Sequence, residues 1–205
     1  MVHEYIDLTQ TIFDKMPVLP GDMEVILEQS NHINPHGYTN FQLHTGMHTG
    51  THIDGPYHMS LKGATIDSVP VTNFIGKGIL IDLKNDNKSY TIPELEDFSI
   101  VIIITGHSKY FGTDHYFTSY PEIPVSLIRE LIKSNIKMIG IDSPSPDYEP
   151  YSVHKLLFDS GIFIIENLTN LQLLSGKKGF EIIALPLKIR ADSSPARVIA
   201  KIDNA

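Results

Sequence analysis

The chain has 205 residues, 41% of them hydrophobic, and its 24 acidic and 16 basic residues give a formal net charge of −8 at pH 7. This length predicts one domain, residues 1–205, whose core is large enough to fold without a metal or a disulfide. The absence of cysteine excludes disulfides, thiolate metal sites and cysteine nucleophiles, and the acidic balance argues against a nucleic-acid partner.

The start of the chain lacks the basic segment and apolar stretch of a secretion signal. No window approaches the roughly 18 uncharged apolar residues that a membrane-spanning helix needs. We therefore expect a cytoplasmic protein without a membrane partner.

The first 85 residues predict short strands bounded by Gly, Pro or Asn. In chain order these strands are Tyr5–Leu8, Val25–Gln29, Phe41–His44, Thr51–Asp54 and Gly78–Leu83.

The second half of the chain alternates between two patterns. Continuous apolar runs, typical of strands covered on both faces, occur at Ile100–Thr105, Lys137–Asp142 and Gly161–Glu166. Between them, Pro124–Asn135 and Val153–Phe158 are predicted helices. This order predicts a single α/β domain with a mixed sheet, which has a parallel β-α-β core and additional antiparallel strands from the N-terminal half.

The apolar runs end in polar residues: Thr105-Gly106-His107, Asp142-Ser143-Pro144 and Glu166-Asn167. Open α/β sheets bind their ligands beyond the carboxyl ends of the strands, so we expect a site there.

Histidines are concentrated between residues 32 and 58. Between residues 44 and 58, four histidines and one aspartate all have even numbers, so they would project from one face wherever the segment is extended. They are His44, His48, His52, Asp54 and His58. Nearby glycines and Pro56 argue against a helix. Imidazole and carboxylate ligands suit zinc, manganese or iron, so we predict a metal site rather than hydrogen-bonding histidines on a wet strand face.

The segment resembles the signature of the cyclase family, which contains bacterial kynurenine formamidases and isatin hydrolases. That signature reads His-x-Gly-Thr-His-x-Asp-x-Pro-x-His, and its fixed positions are met by His48, Gly50, Thr51, His52, Asp54, Pro56 and His58. His154 and Glu166 fit the family spacing of a histidine followed twelve residues later by a glutamate. Looser similarity extends the resemblance over most of the chain.

The resemblance implies a swivelling β/β/α-like fold, a homo-oligomer (dimer or tetramer), and a site for two divalent ions, zinc first and manganese as the alternative. His48 and His52 would bind the first ion and His154 the second. Asp54 and Glu166 would each contact or bridge both ions. His58 would stand outside the metal ligands as the acid–base group.

These residues predict a metal-dependent hydrolase of small amides. Two metals about 3.5–4 Å apart activate a water and stabilise the oxyanion, and an imidazole delivers a proton to the leaving nitrogen. The leading example is the arylformamidase reaction of tryptophan catabolism, in which N-formylkynurenine gives kynurenine and formate.

One position departs from the kynurenine formamidases of the family. Their Trp-Pro-Gly-Asp segment supplies a tryptophan that packs on the substrate ring, and the corresponding stretch here is Leu19-Pro20-Gly21-Asp22. Leu19 offers apolar contact to a substrate but lacks the ring-on-ring preference, worth about 0.5–1.5 kcal/mol. A different cyclic amide or lactone, isatin-like, is therefore the alternative substrate, and a metal-holding or small-molecule binding module without turnover is the alternative class.

Two other segments carry weaker signals. Gly106-His107-Ser108-Lys109-Tyr110 lacks the final glycine of a nucleophile elbow, so we expect Ser108 to have a structural role. The stretch from Asp142 to Asp147 predicts a sharp turn, with a carboxylate that supports the site as the alternative.

Overall fold

The computed structural model describes residues 3–84, 92, 94–95, 97–177 and 179–203. Its strands, in chain order, are β1 (His3–Asp7), β2 (Ile26–Asn31), β3 (Asn40–His44), β4 (His52–Asp54), β5 (Ile75–Asp82), β6 (Ile100–Ile104), β7 (Met138–Ile141), β8 (Phe163–Glu166), β9 (Phe180–Pro186) and β10 (Ser193–Asp203). The α-helices are α1 (Ile33–His36), α2 (Asp114–Thr118), α3 (Val125–Leu131) and α4 (Ser152–Asp159). Single turns of 3-10 helix occur at Pro56–His58, Ile66–Ser68, Val71–Phe74, His107–Tyr110 and Leu171–Leu174.

The main sheet is mixed, as the sequence predicts. Strands β5, β6, β7 and β8 are parallel neighbours in that order. Strand β4 pairs antiparallel with β8, and β10 pairs antiparallel with β4. Strand β10 also pairs with β9, and β9 pairs with β5, so the sheet closes into a seven-stranded barrel with β1 attached to β10.

The closure of the sheet is more specific than the predicted mixed sheet. One part of the predicted topology is corrected: two of the antiparallel strands, β9 and β10, come from the C-terminal end rather than from the N-terminal half. Strands β2 and β3 do not join the main sheet and pair only with each other.

The apolar run of β6 shows why the parallel strands are hydrophobic at every position. Ile100, Ile102 and Ile104 pack into the cluster inside the barrel, whereas Val101 and Ile103 pack into a second cluster beneath the helices. Successive side chains of a strand point to opposite faces, so a strand buried on both faces needs an apolar residue at each position. Each such side chain contributes roughly 1.5–3 kcal/mol on burial.

Helices α3 and α4 cover the outer face of this parallel layer. Leu127, Ile128 and Leu131 of α3 and Val153 and Leu157 of α4 belong to the outer cluster. The helix predicted over 124–135 ends at Leu131, because the following backbone amides of residues 133 and 134 bond to carbonyls three residues back and tighten the chain into a turn. Among the described residues, no helix is both long and apolar enough to cross a membrane.

Candidate metal centre and active site

The centre is built where two antiparallel strands place their polar residues opposite each other. His52 of β4 pairs in register with Glu166 at the carboxyl end of β8, and Asp54 lies two residues further along β4. A strand has a side-chain period of two, so His52 and Asp54 share a face. The His52 Nε2 atom lies 3.3 Å from Asp54 Oδ1 and 3.4 Å from Glu166 Oε2.

The orientation of the His52 ring is fixed from behind. Its Nδ1 lies 2.9 Å from the Gly50 carbonyl oxygen, and because a carbonyl only accepts, Nδ1 carries the proton. The Asn167 side-chain amide donates to the same carbonyl at 2.9 Å. Gly50 has a φ of +58°, a left-handed conformation that glycine adopts without strain. The second ring nitrogen of His52 therefore presents its lone pair to two carboxylates.

Three polar atoms at this point have no hydrogen-bond partner within the described part of the chain, although all are buried. They are His52 Nε2, Asp54 Oδ1 and Glu166 Oε1. Buried polar atoms are almost always paired, and a lone pair held between carboxylates is repulsive unless a positive charge lies between them. His52, Asp54 and Glu166 bring one ligand atom each within 4.8 Å of one another, so the donor set fits a divalent cation.

A second group of ligand atoms shares Asp54 with the first and adds His48 and His58. The Nδ1 atom of His48 lies 3.0 Å from Asp54 Oδ1, and its Nε2 atom lies 2.9 Å from both Asp192 Oδ2 and Ser193 Oγ. His58 reaches the same place from the turn Pro56–His58. The structure thus sets His58 beside the ligand candidates, and its role as the acid–base group stays a prediction.

His154 enters from the first turn of α4 and is buried, so it is not a surface residue of that helix. Its Nδ1 lies 2.6 Å from Asp147 Oδ1, and the other oxygen of Asp147 accepts the backbone N–H of Val153. The His154 Nε2 atom then faces Glu166 Oε1 at 3.5 Å. A carboxylate behind a ligating imidazole is the usual support of a metal site, because it fixes the tautomer and the ring orientation.

In the absence of a metal, the carboxylates draw protons onto these imidazoles. Burial alone would lower the pKa of His48, but the Asp54 carboxylate, whose Oδ1 lies 3.0 Å from His48 Nδ1, raises it to about 9. Burial likewise opposes the charge on His154, and Asp147 and Glu166 raise its pKa to about 9. The pKa of His52 is raised well above its ordinary value despite complete burial, chiefly by Asp54. A cation that binds here must displace those protons.

The evenly numbered side chains share one strand face over only part of the segment. Strand β4 covers His52–Asp54, and the chain before it, from 47 to 51, is bent rather than extended. His44 lies exposed at the end of β3 and joins neither ligand group. His48 and His58 reach the centre through a bend and a turn, so the one-face argument is correct for His52 and Asp54 and wrong for His44.

A cavity of about 400 Å³ opens onto the candidate metal-binding side chains. Its apolar wall combines Leu19 with side chains that the sequence analysis did not single out, Met59, Phe111, Phe117 and Tyr151. Leu19 lines this cavity, and its contact with a substrate stays a prediction. The expected position of the site is also borne out in part, since Pro144, Ser145, Glu166 and Asn167, which follow or close β7 and β8, line the cavity.

Ser108 does not line this cavity. Asp142 accepts hydrogen bonds from the backbone N–H groups of Thr105 and Gly106 and from the Thr105 hydroxyl, at 2.6–2.8 Å. It therefore anchors the loop that follows β6 and belongs to neither group of candidate metal ligands.

Three further side chains support the candidate ligands: Asp147 holds His154, Asn167 holds the Gly50 carbonyl, and Asp192 contacts both His48 and His58. Asp147 is the supporting carboxylate that the sequence offers as the alternative for residues 142–147, and Asn167 lies at a strand end where the site is expected. Sequence reasoning missed Asp192. Burial disfavours a charge on Asp192, yet hydrogen bonds from His48 and His58 hold its pKa below the ordinary value. Asp192 lies 134 residues from His58 in the chain, and no local pattern marks it.

Known proteins resemble this chain over nearly its whole length. A protein of uncharacterised function from Methanocaldococcus jannaschii is 40% identical over 202 residues, which cover 96% of this chain and 98% of the relative. A kynurenine formamidase of Bacillus cereus is 30% identical over 206 residues, which cover 97% of each chain.

Solved structures show the same fold. Isatin hydrolase A from Labrenzia aggregata, bound to benzyl benzoate, has a TM-score of 0.84 at 27% identity, with 98% of this chain and 94% of that chain covered. A "predicted metal-dependent hydrolase" from Bacillus stearothermophilus has a TM-score of 0.75 at 29% identity, with 98% and 99% covered. The model of the Cyclase family matches residues 6–148. This chain therefore belongs to the Cyclase family.

Proposed function

We propose that this protein is a cytoplasmic, metal-dependent hydrolase of small amides, and that N-formylkynurenine, cleaved to kynurenine and formate, is its leading substrate. The observation that carries the proposal is the convergence of the unpartnered atoms His52 Nε2, Asp54 Oδ1 and Glu166 Oε1 on one buried point. The similarity to kynurenine formamidases and isatin hydrolases supports hydrolysis as the reaction.

In this proposal the centre takes two divalent ions, zinc first and manganese as the alternative. His52, Asp54 and Glu166 would hold one ion, and His48 and His154 would complete the set around the Asp54 and Glu166 carboxylates. Ions bound there would polarise the carbonyl group of the substrate and lower the pKa of a bound water. Nitrogen and oxygen ligands suit both metals.

The chain's own residues provide the remaining chemistry. His58 lines the cavity, and its Nδ1 atom is engaged by Asp192 at 2.9 Å, which leaves Nε2 to exchange a proton with the reacting groups. Breaking an amide bond requires a proton on the leaving nitrogen, and a positioned imidazole is the side chain best suited to deliver it near neutral pH.

The cavity wall supports an aromatic substrate even though the chain contains no tryptophan. Phe111, Phe117 and Tyr151 line the cavity together with Leu19. Aromatic pairs contribute about 0.5–1.5 kcal/mol beyond the area that they bury, so these rings compensate for the leucine at position 19.

The alternative substrate is a cyclic amide or lactone. The structural similarity to isatin hydrolase A favours it, because ring opening uses the same attack on a carbonyl and the same protonation of the leaving atom.

We also propose that the protein acts as a homo-oligomer on a small molecule.

The test is formate release from N-formylkynurenine by protein loaded with zinc or with manganese, alongside ring opening of isatin and of aryl lactones. We expect turnover of at least one substrate, and its loss in Glu166→Gln, which removes a charged ligand at nearly constant volume. A thermal shift with zinc but no product from any substrate would identify a binding module and contradict the proposal.

A further inference from the structure

We propose that Asp192 is a positioning residue, whose carboxylate holds the N–H of His58 Nδ1 so that Nε2 of the same ring faces the cavity. The inference rests on the proposed function, because it assigns the group that keeps the acid–base histidine in the form its role requires. Asp192 lies between β9 and β10, far along the chain from the signature segment.

The contact between the two side chains determines a tautomer. The Asp192 Oδ2 atom lies 2.9 Å from His58 Nδ1, and a carboxylate only accepts hydrogen bonds. The proton of a neutral His58 ring therefore stays on Nδ1, and the lone pair is on Nε2. An aspartate behind a catalytic imidazole works through this choice of tautomer and through ring orientation.

The same oxygen also organises a second histidine. Asp192 Oδ2 lies 2.9 Å from His48 Nε2, and the centroids of the His48 and His58 rings are 4.3 Å apart. One carboxylate oxygen thus connects a candidate metal ligand to the candidate proton carrier.

The backbone holds Asp192 in this place. Its carbonyl accepts the N–H of Gly55 at 2.9 Å, and the next residue, Ser193, pairs with Asp54 in the β10–β4 ladder. A Cβ atom at Gly55 would lie 3.2 Å from both the Asp192 carbonyl oxygen and the Phe163 ring. The close approach allowed by Gly55 therefore brings the Asp192 loop against the signature segment.

Stability alone does not account for the contact. The side chains of His58 and Asp192 are 29% and 31% exposed, and ion pairs this accessible to water contribute little to the free energy of folding. The contact instead fixes the orientation of the His58 ring relative to the cavity.

The first test reads the tautomer directly. In zinc-loaded protein, nitrogen-15 NMR of the His58 ring is expected to show a protonated Nδ1 and an unprotonated Nε2. Asp192→Asn can donate its amide N–H to Nδ1 and is expected to move the proton toward Nε2, whereas Asp192→Glu is expected to restore the wild-type pattern in part. Ser193→Ala is the matched control: it removes the other partner of His48 Nε2 and is expected to leave the His58 tautomer unchanged.

An unchanged His58 spectrum in both Asp192→Asn and Asp192→Ala would overturn the inference. This readout does not require a known substrate. If the wild-type protein turned over no substrate, the proposed function would fail while the assignment of Asp192 would still be tested by the spectrum.

The second test is a double-mutant cycle in kcat. Asp192→Asn is expected to lower kcat about 10- to 100-fold with bound zinc unchanged, and to cause no further loss in a His58→Ala background. An equal loss in both backgrounds, or a loss of zinc that accounts for the fall in kcat, would show that Asp192 acts on the metal site rather than through His58.

Discussion

At the scale of single residues, the centre consists of imidazole rings whose nitrogen atoms are surrounded by carboxylates. Asp54 and Glu166 face the same nitrogen of His52, and Asp147 and Asp192 stand behind two other rings. In the metal-free protein, protons on the imidazoles balance these carboxylates. A divalent cation bound there would therefore compete with protons for the same nitrogen atoms.

We expect zinc binding to release protons at pH 7. The pKa values of His48 and His154 are raised to about 9 from an ordinary value of 6.5, so both rings are protonated at pH 7 in the metal-free protein and must lose a proton to become ligands. The apparent zinc affinity is expected to rise with pH up to about 9. Calorimetric titrations in buffers of different ionisation enthalpy count the protons, and binding without proton release would contradict the assignment of these ligands.

The free energy of unfolding of the metal-free protein is expected to fall as pH rises from 6.5 to 9. A group whose pKa is raised by folding stabilises the protein fully below its unfolded pKa, and this contribution is lost as pH passes the folded value of about 9 for His48 and His154. Urea unfolding at several pH values measures the trend. Zinc-loaded protein serves as the control and should not show this trend, since its ligand nitrogens are already unprotonated.

Replacement of His58 by alanine separates its two candidate roles. As the acid–base group, His58→Ala is expected to lower kcat by about 10²–10⁴ while the bound zinc stays constant. Mass spectrometry of the metal content accompanies the assay. A fall in zinc content would make His58 a ligand, and unimpaired turnover would remove it from the mechanism.

At this scale, sequence reasoning finds site residues that share a strand face and misses one that long-range folding brings to the site. The two-residue period of a strand correctly places His52 and Asp54 on one face. Asp147 lies in the stretch 142–147, for which the sequence offers a supporting carboxylate as the alternative to a turn. Asp192 reaches the site from the loop between β9 and β10, which no spacing in the chain records.

At the scale of elements, the turn Pro56–His58 depends on a close backbone contact. A Cβ atom at Gly63 would lie 2.3 Å from the backbone carbon of Pro56 and the backbone nitrogen of Tyr57. Backbone atoms cannot rotate away as a side chain does, so any larger residue at 63 displaces the turn that carries His58.

Gly63→Ala is therefore expected to destabilise the protein by about 1–3 kcal/mol and to lower turnover. Gly46→Ala is the matched control, because a Cβ atom at Gly46 meets nothing closer than the Thr49 hydroxyl at 3.9 Å. Urea unfolding of both variants measures the difference. Equal stability of the two would show that the contact at Gly63 relaxes without cost.

The strands of the main sheet differ in how far the sequence predicts them. The runs that form β6, β7 and β8 are apolar at nearly every position, and their prediction as parallel strands is confirmed. Strands β9 and β10 were missed, because β10 gains its length by pairing with β1, β4 and β9 in turn, and this long-range pairing has no local pattern.

At the scale of the whole molecule, the candidate metal centre joins distant parts of the chain. Its candidate ligands come from β4, from the bend before it, from α4 and from β8. A cation bound there therefore stabilises the closed barrel against unfolding, since it binds the folded chain and not the unfolded one.

We expect zinc at 100 times its Kd to stabilise the protein by about 2.7 kcal/mol, which raises the Tm of a chain of this size by about 5–10 °C. His44→Ala should retain the shift, because His44 is exposed and lies outside both ligand groups. His52→Ala should lose most of it. Differential scanning calorimetry with and without zinc makes the comparison, and an equal shift in the two variants would place the metal elsewhere.

The most direct measurement of the central claim is a crystal structure of the zinc-loaded protein with anomalous data collected at the zinc absorption edge. We predict an anomalous peak bounded by His52 Nε2, Asp54 Oδ1 and Glu166 Oε1, with a second peak between the same carboxylates and the neighbouring imidazoles. Zinc located only at other positions, or a centre that stays empty at saturating zinc, would contradict the account.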